Sequence, residues 1–348
     1  IDMGPGSGKN GGEITFEGTY NELLSSNTST GNALRNKHNL KENIREANHF
    51  YNIGPVTQNN LNNVKTSIPK HVLTVLTGVA GSGKSTLVKA GFENNDHTIF
   101  IDQKAVQGSN RSNLLTYLGV FDSVRSYFSK ETGLNKAMFS YNSKGACPNC
   151  GGKGYIKTEL AFMGDFSQTC EVCHGKRYKQ EVLDATIDGY SIADVLNLTV
   201  DEGIIFFDKK NDIKSKLQSV SKTGLNYMSL GQPLSTLSGG EIQRVKLGQH
   251  LDEEIKNSIF IFDEPTTGLH ESDIPILMEC FDDLIDQNNT VILIEHNLSI
   301  MCEADWIIDV GPGPGLDGGK VQFSGTPKNF IDSSETLTSK HLKRYIKQ

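Results

Sequence analysis

The 348-residue sequence predicts an α/β fold in which a central parallel sheet is interrupted by a separate inserted lobe. Four short apolar runs end in polar residues, as strands buried on both faces of a parallel sheet do. A glycine-rich loop lies between the first of these runs and a helical stretch. Two Cys-x-x-Cys pairs lie in the long interval between the second run and the third. The length is sufficient for more than one hydrophobic core.

Composition and charge exclude several classes of protein. With 22% charged and 36% hydrophobic residues, the chain is typical of a globular protein. No apolar run approaches the roughly 18 residues that cross a bilayer, and no signal peptide is recognisable. We therefore expect a cytoplasmic protein with no membrane partner. A net charge of −7 excludes a globally basic nucleic-acid binder but not a local basic patch.

A gapless repeat relates the two ends of the chain. Eleven of 23 positions are identical between residues 1–23 and residues 308–330. Because residues 308–330 close the predicted sheet domain, residues 1–24 should form the C-terminal tail of a preceding domain of the same kind. Chance or a shared turn preference is the alternative, but either would explain only the glycines.

A polar segment separates this tail from the sheet domain. Asn accounts for twelve of the 44 residues from 21 to 64, and large apolar residues are few. Such a composition is too polar to bury a core, so residues 25–52 are expected to form a polar linker. Compact structure should resume near Ile53, followed by a strand at residues 71–77.

A phosphate-binding loop follows that strand. Residues 78–85 read GVAGSGKS and fit the pattern G-x-x-x-x-G-K-[ST] between a strand and a helical stretch. Glycines let backbone N–H groups surround phosphates, Lys84 would reach the β- and γ-phosphates, and Ser85 would bind Mg²⁺. A glycine-rich turn without function is the alternative, which this context disfavours. The predicted ATP-binding residues of the loop are Gly78, Gly81, Ser82, Gly83, Lys84, Ser85 and Thr86.

Acidic residues end the third apolar run, residues 258–262. Asp263 would hold Mg²⁺, and Glu264 would act as the general base that polarises the attacking water. Taken alone, a strand that ends in Asp-Glu-Pro could be a solvated strand terminus. After a phosphate-binding loop it indicates a nucleotide-hydrolysing site.

The remaining polar strand ends and one loop complete the pattern. Gln103 follows the strand at 99–102, and His296 follows the strand at 290–295. Residues 237–241, LSGGE, open a helical stretch, and the Ser-x-x-Glu spacing could be only a capping box. Together, however, these features occur in the order found in the ABC ATPase superfamily, which the chain resembles: Lys84, Gln103, Ser238, Asp263, Glu264 and His296.

The resemblance to ABC ATPases implies a role for each of these residues. Gln103 would sense Mg²⁺ and water, and His296 would contact the γ-phosphate. The signature loop would face a nucleotide bound on a different cassette, through Ser238, Gly239, Gly240 and Glu241. Residues 1–24 would then be the tail of a preceding, first ABC cassette.

The interval between Gln103 and Ser238 spans 134 residues and contains four cysteines. Their spacing predicts a structural Zn²⁺ site on four thiolates, with no open position for catalysis: Cys147, Cys150, Cys170 and Cys173. Two redox pairs or unliganded cysteines are the alternatives. His174 is interpreted as a bystander. Cys280 and Cys302 stand apart in apolar helical patterns and should be buried packing residues.

The zinc region is basic, although the chain is acidic overall. Residues 141–180 contain six Lys and Arg against three Asp and Glu. Aromatic residues interleave with these cations, namely Phe139, Tyr141, Tyr155, Phe162, Phe166 and Tyr178. This pattern suits contact with a DNA backbone, but a solvated charged surface over a small aromatic core is equally consistent. The candidate DNA contacts are Lys144, Lys153, Lys157, Lys176 and Arg177.

These features divide the chain into domains. The ABC ATP-binding lobe should comprise residues 53–118 and 233–333. The inserted signature domain should comprise residues 119–232, with its zinc module at 141–180. Residues 334–348 should form a basic C-terminal tail.

Within the ABC superfamily the sequence resembles the UvrA family, the damage-recognition subunits of bacterial excinucleases. The stretches that carry the resemblance include TGVAGSGKSTL, FSYNSKGACPNCGGKG, CEVCHGKRY, LGQPLSTLSGGEIQRVKL, FDEPTTGLH and ADWIIDVGPGPG. The resemblance implies a bacterial, cytoplasmic tandem-cassette ATPase of nucleotide excision repair that uses ATP, Mg²⁺ and structural Zn²⁺. Its partners would be duplex DNA, a second cassette, a second copy of itself and a helicase subunit; it would not itself be a nuclease.

Three departures from the family pattern keep an alternative open. The segment 122–139 is short and lacks an Arg-rich stretch, Ala146 stands where Arg is common, and residues 161–169 lack a Leu-Pro-Asp run. These departures favour a shorter UvrA-like paralogue associated with resistance to DNA-binding drugs. A transport-coupled cassette is the remaining alternative function.

Overall fold

A computed structural model describes residues 1–6, 8, 11–36, 39–104, 112–160, 164–253 and 255–347. The chain forms two compact units. We call Ile1–Lys104 together with Gly239–Gln348 the sheet unit, and Ala105–Ser238 the inserted unit. None of the described helices is both long enough and apolar enough to span a membrane.

Short strands and α-helices make up much of the described chain. The strands, in chain order, are β1 (Asp2–Gly4), β2 (Glu13–Phe16), β3 (Phe50–Gln58), β4 (Leu61–Pro69), β5 (Leu73–Thr77), β6 (Thr98–Ile101), β7 (Tyr155–Leu160), β8 (Gly164–Thr169), β9 (Thr186–Ile187), β10 (Tyr190–Ser191), β11 (Ile259–Asp263), β12 (Thr290–Ile294), β13 (Trp306–Gly311) and β14 (Lys320–Gly325). The helices are α1 (Tyr20–Ser25), α2 (Ser29–Arg35), α3 (Lys84–Phe92), α4 (Leu114–Tyr117), α5 (Phe121–Thr132), α6 (Gln180–Asp184), α7 (Ile192–Asn197), α8 (Val200–Phe206), α9 (Asn211–Val220), α10 (Gly239–Leu251), α11 (Ile274–Asp286), α12 (Leu298–Glu303), α13 (Pro327–Ser333) and α14 (Leu337–Lys347).

The central sheet of the sheet unit has six strands in the order β14-β13-β5-β12-β11-β6. All neighbouring pairs are parallel except β13 and β14. The four strands predicted from the sequence are neighbours in this sheet, in the order β5-β12-β11-β6. Their carboxyl ends therefore lie along one edge of the sheet, where ligands of open α/β sheets bind. The predicted α/β fold is confirmed.

Both faces of the sheet are buried, as the continuous apolar strands predict. In β11, Phe260 and Phe262 pack into a core with α11 on one face. Ile259 and Ile261 point to the other face and pack with α3 and the β3–β4 hairpin. Because successive side chains of a strand alternate between faces, one strand contributes to two cores.

The repeat in the sequence forms the same substructure twice. The β1–β2 hairpin is followed by α1 and α2, as the β13–β14 hairpin is followed by α13 and α14. The side chain of Thr28 accepts the N–H of Gly31 at 3.1 Å, and that of Thr336 accepts the N–H of Ser339 at 3.2 Å. The repeat thus continues through α2, inside the segment expected to be a polar linker. Residues that indicate a linker by composition, such as Thr and Ser, also cap helices.

Ion pairs hold the rest of the polar segment against the sheet unit. Arg45 Nη1 lies 2.7 Å from Asp282 Oδ1, and Lys41 Nζ lies 3.4 Å from Asp305 Oδ1. The buried Asp305 also accepts the N–H of Leu73, at the start of β5, at 2.9 Å. The expected linker is therefore docked where it meets the sheet.

The unit boundaries differ from the predicted domain boundaries. The inserted unit covers 105–238 rather than 119–232. The expected basic tail, residues 334–348, contains α14, in which Leu342 is fully buried. Although the segment is basic, its apolar residues are spaced so that they lie on one face of α14. This face packs against one core of the sheet unit.

Candidate functional site

The loop after β5 has the geometry of a phosphate cradle. Gly83 has φ 102°, and α3 begins at the next residue, so the positive end of the helix faces the loop. A Cβ at Gly78 would lie 1.9 Å from the carbonyl oxygen of Val310, which only glycine avoids. Lys84 Nζ donates to the carbonyl oxygens of Gly78 at 3.0 Å and Val79 at 2.9 Å.

The glycine-rich turn after β13 supports this loop from behind. The N–H of Gly315 donates to Gly81 O at 3.1 Å, and the N–H of Gly319 donates to Ser82 O at 2.9 Å. Asn60, in the turn between β3 and β4, donates through Nδ2 to Gly81 O at 3.3 Å. In the sequence, the GPGPG segment stood out through the repeat and the family resemblance, whereas Asn60 was not predicted as part of the site. The one available signal was the Asn-Asn pair between two strands.

The strand ends bring the predicted catalytic residues together. Ser85 Oγ lies 3.5 Å from Asp263 Oδ1. Gln103 Nε2 donates to Glu264 O at 3.2 Å, and His296 Nε2 lies 3.7 Å from Glu264 Oε1. A cavity of about 280 Å³ lies among these elements and is lined by Asn60, Ala80, Gly81, Gly83, Lys84, Ser85, Thr86, Glu264, Ile294 and His296.

The electrostatics of the cavity favour a neutral imidazole. Burial, followed by the positive charge of Lys84, lowers the pKa of His296 below its ordinary value. Burial also lowers the pKa of Lys84, against the opposing effect of Glu264 and other carboxylates. The backbone at Glu264 is in the left-handed region, with φ 50°. Non-glycine residues in this sparsely populated region occur in turns and also at functional sites.

Glu295 is a buried residue of the site that sequence reasoning missed. Its carboxylate accepts the N–H of Thr266 at 2.9 Å and the N–H of His296 at 2.8 Å. It thereby joins the loop that follows β11 to the loop that follows β12. The signal was a carboxylate at the end of an apolar strand, directly before the candidate histidine.

The signature glycines allow the start of α10 to approach the site. The helix begins at Gly239, directly after Ser238, and Glu241 lies in its first turn. A Cβ at Gly239 would lie 3.0 Å from Gln103 Oε1, and a Cβ at Gly240 would lie 2.7 Å from Thr267 O. Small residues at these two positions therefore let the helix pack beside Gln103 and beside the loop that carries Glu264.

Four cysteines converge in the inserted unit. Their Sγ atoms all lie within 4.8 Å of one another, and all four side chains are buried: Cys147, Cys150, Cys170 and Cys173. The Cys147–Cys170 and Cys150–Cys173 Sγ pairs are 4.0 Å and 3.7 Å apart. Tetrahedral zinc with Zn–S bonds of about 2.3 Å places its sulfur atoms about 3.8 Å apart. The donor set could therefore hold zinc.

Two hydrogen bonds reach sulfur atoms of the cluster. Asn149 Nδ2 donates to Cys170 Sγ at 3.3 Å, and Gly154 N donates to Cys150 Sγ at 3.2 Å. The Asn149 hydrogen bond is the main cause that lowers the pKa of Cys170 to about 6, whereas burial raises the pKa of Cys173 to about 12. His174 is exposed and is not part of the cluster. Cys280 and Cys302 are buried, as predicted.

The candidate DNA contacts of the zinc region lie at its surface, but its aromatic residues largely do not. Lys144, Lys153, Lys157 and Lys176 are exposed, whereas Arg177 is half-buried. The Lys176 ammonium lies 3.3 Å from Asp194. The guanidinium of Arg177 lies 5.3 Å above the Tyr141 ring.

The alternative of a small aromatic core is correct for Phe139, Tyr141 and Tyr178, which are at most 1% exposed. Tyr155 is 40% exposed. Phe162 lies outside the described residues, and the structure does not describe the Phe166 side chain.

Known proteins resemble this chain over nearly all of its length. A family model described as "ABC transporter" matches residues 61–267. The UvrABC system protein A of Clostridium perfringens is 42% identical over 381 residues, covering 99% of this chain and 41% of that protein. That of Bacillus subtilis is 40% identical over 383 residues, covering 100% of this chain and 40% of that protein. The chain belongs to the UvrA family of ABC proteins.

A solved structure agrees with this placement in the UvrA family. The crystal structure of UvrA2 from Deinococcus radiodurans matches with a TM-score of 0.91 and 38% identity, covering 99% of this chain and 46% of that one. The chain spans about two fifths of the length of the two curated UvrA relatives. An ABC domain implies ATP and Mg²⁺ as its ligands.

Proposed function

We propose that this chain is the second cassette of a UvrA-type tandem ATPase that recognises DNA damage in nucleotide excision repair. ATP hydrolysis would be coupled to the sampling of duplex DNA. The observation that carries the proposal is the meeting of Gln103, Glu264 and His296 at the phosphate loop of a UvrA-family cassette. The 40–42% identity to proteins described as UvrABC system protein A supports it.

The site residues suit hydrolysis of a phosphoanhydride. Lys84 would exchange its two loop carbonyls for the β- and γ-phosphates, and Ser85 and Asp263 would hold Mg²⁺. Bound Mg²⁺ supplies charge neutralisation at the phosphates. Glu264 would orient and deprotonate a water, and neutral His296 would contact the γ-phosphate. The other residues proposed to bind ATP are those of the phosphate loop that were predicted from the sequence: Gly78, Gly81, Ser82, Gly83 and Thr86.

The N-terminal hairpin supports a preceding cassette in the same protein. Ile1, Met3 and Ile14 are 81%, 60% and 61% exposed. The residues that correspond to Ile1 and Met3 in the repeat, Ile308 and Val310, are 0% exposed, because β13 lies within the sheet and these side chains pack in the core with α3 and the β3–β4 hairpin. An equivalent sheet of a first cassette would bury the N-terminal set. The signature loop, Ser238 to Glu241, would then complete a nucleotide site on another cassette.

The inserted unit would supply DNA contact and a structural zinc. The four buried cysteines fit Zn²⁺, and the exposed lysines of the zinc region would contact phosphates. The other expected partners are a second copy of the protein and a helicase subunit. Both expectations rest on the family resemblance.

The test is DNA binding by the protein that contains both cassettes. Fluorescence anisotropy of a labelled duplex across a salt series should give a slope of several released ions. The double variant Lys144→Ala/Lys153→Ala should lower the slope by about two, since each phosphate contact contributes about 0.9. Lys320→Ala/Lys328→Ala, exposed lysines of the sheet unit, is the matched control. Absence of binding at low salt would refute the DNA function.

A further inference from the structure

A lysine on α10 holds the segment that follows β6. Lys246 Nζ donates to three oxygens: Asp102 O at 3.0 Å, Asp102 Oδ1 at 2.9 Å and Lys104 O at 3.1 Å. Its side chain is only 18% exposed. Burial raises the pKa of Asp102, but the hydrogen bond and charge of Lys246 outweigh it, so that pKa is lowered overall. These are charge-assisted bonds from one ammonium to a single short segment.

One turn earlier on the same helix, Gln243 bridges two strand ends. Its Nε2 donates to Ile101 O at 3.1 Å and to Asp263 O at 2.7 Å, and the residue is 2% exposed. Both neighbours are carbonyl oxygens, so the amide nitrogen must face them. Gln243 thus ties the end of β6 to the end of β11.

The segment held in this way carries Gln103. Its neighbours on both sides, Asp102 and Lys104, accept hydrogen bonds from Lys246. Gln103 Nε2 in turn donates to Glu264 O at 3.2 Å. The chain leaves the sheet unit after Lys104 and returns at Gly239, the first residue of α10. The bonds therefore join the exit strand to the returning helix.

We propose that Gln243 and Lys246 are positioning residues that hold Gln103 beside Glu264. Neither side chain reaches the phosphate loop in the described contacts. Their effect on turnover would come through the backbone of residues 101–104. The proposal rests on the proposed ATPase function. It adds two residues of α10 to those that position the site. It also gives a reason why a buried amide and an ammonium of this helix form hydrogen bonds with residues at the strand ends.

The first test is a double-mutant cycle in the tandem protein, with the first cassette's own hydrolysis disabled. Lys246→Met keeps the alkyl stem and removes the donors, and Gln243→Glu keeps the shape but places a carboxylate against two carbonyls. Each should lower kcat for ATP by on the order of tenfold, with KM changed by less than about threefold, because small misplacements of site groups are costly. Lys246→Arg should recover part of the loss.

The cycle distinguishes positioning from general damage. In a Gln103→Ala background, Lys246→Met should cost less than about twofold, since its effect passes through Gln103. Multiplicative losses would overturn the proposal. Lys343→Met is the matched control, because Lys343 also donates to a backbone carbonyl, that of Ser334, from a helix of the sheet unit. It should leave kcat unchanged.

The second test does not depend on ATP turnover. Amide hydrogen exchange of a peptide that covers residues 98–104 should speed up in Lys246→Met, and not in Lys343→Met. Unchanged exchange would overturn the positioning role. Absence of turnover in the unmodified protein, with faster exchange in Lys246→Met, would refute the ATPase function. It would leave intact the inference that α10 holds residues 101–104 through hydrogen bonds.

Discussion

Oε1 of Glu264 lies 3.7 Å from Nε2 of His296, across the ends of two adjacent parallel strands. Both side chains are partly open to the cavity at the phosphate loop. The carboxylate of Glu264 is close enough to the imidazole for one water to bridge them. The backbone N–H of His296 donates to the Glu295 carboxylate, which holds His296 in place. The roles proposed for Glu264 and His296 can therefore be tested separately, by substitution and by pH dependence.

Replacing the Glu264 carboxylate should separate ATP binding from ATP turnover. Glu264→Gln in the tandem protein removes the base and preserves shape, so kcat at this site should fall by about a hundredfold or more. ATP affinity should be retained, which filter binding of labelled ATP would measure. Glu279→Gln, an exposed glutamate of α11, is the control. Undiminished turnover in Glu264→Gln would refute the assigned role.

The lowered pKa of His296 sets the sign of a pH effect. Burial and Lys84 disfavour the imidazolium, so protonation occurs at a lower pH than in an ordinary histidine. Turnover should stay level as the pH falls from 8 through the ordinary histidine range, and decline only below it. Since the unfolded chain binds that proton more readily, the free energy of unfolding should also fall as the pH drops. A kcat profile with its acid limb at or above the ordinary histidine pKa would contradict this.

Removing zinc should unfold the inserted unit before the sheet unit. Metal analysis should find one zinc per chain, and Cys150→Ser should lose it, because four thiolates leave no substitute ligand. Proteolysis should then cleave within 105–238 first. Cys280→Ser changes a buried cysteine of α11 and should retain the metal. Full occupancy in Cys150→Ser would show that the cluster is not the zinc site.

Asp305 should contribute strongly to the stability of the sheet unit. Asp305→Ala removes a buried carboxylate that accepts from Leu73 N and Arg45 N at 2.9 Å and 3.0 Å. Loss of a buried, hydrogen-bonded charge typically costs about 3–5 kcal/mol in the free energy of unfolding. Urea denaturation would measure the change. Asp286→Ala removes an exposed partner of Arg45 and should cost under about 1 kcal/mol. Equal effects would contradict the docking of residues 41–45.

The sequence predicted the features that depend on local pattern. The apolar runs predicted β5, β6, β11 and β12, and their shared direction placed Gln103 and Glu264 at one edge of the sheet. The cysteine spacing predicted a cluster that the fold brings together. Residues that act through tertiary contact escaped, because Asn60, Gln243 and Glu295 have no spacing signature. The helix α2 was missed because capping residues resemble linker composition.

The central claim is that this cassette supplies the phosphate loop of one nucleotide site and the signature loop of a second site, which lies on another cassette. Its most direct test is ATP turnover by this chain alone, measured per mole across a wide range of concentrations. We expect slow turnover that rises steeply with concentration, as copies pair so that one signature loop meets another's phosphate loop. Rapid turnover per mole that is independent of dilution would contradict the claim.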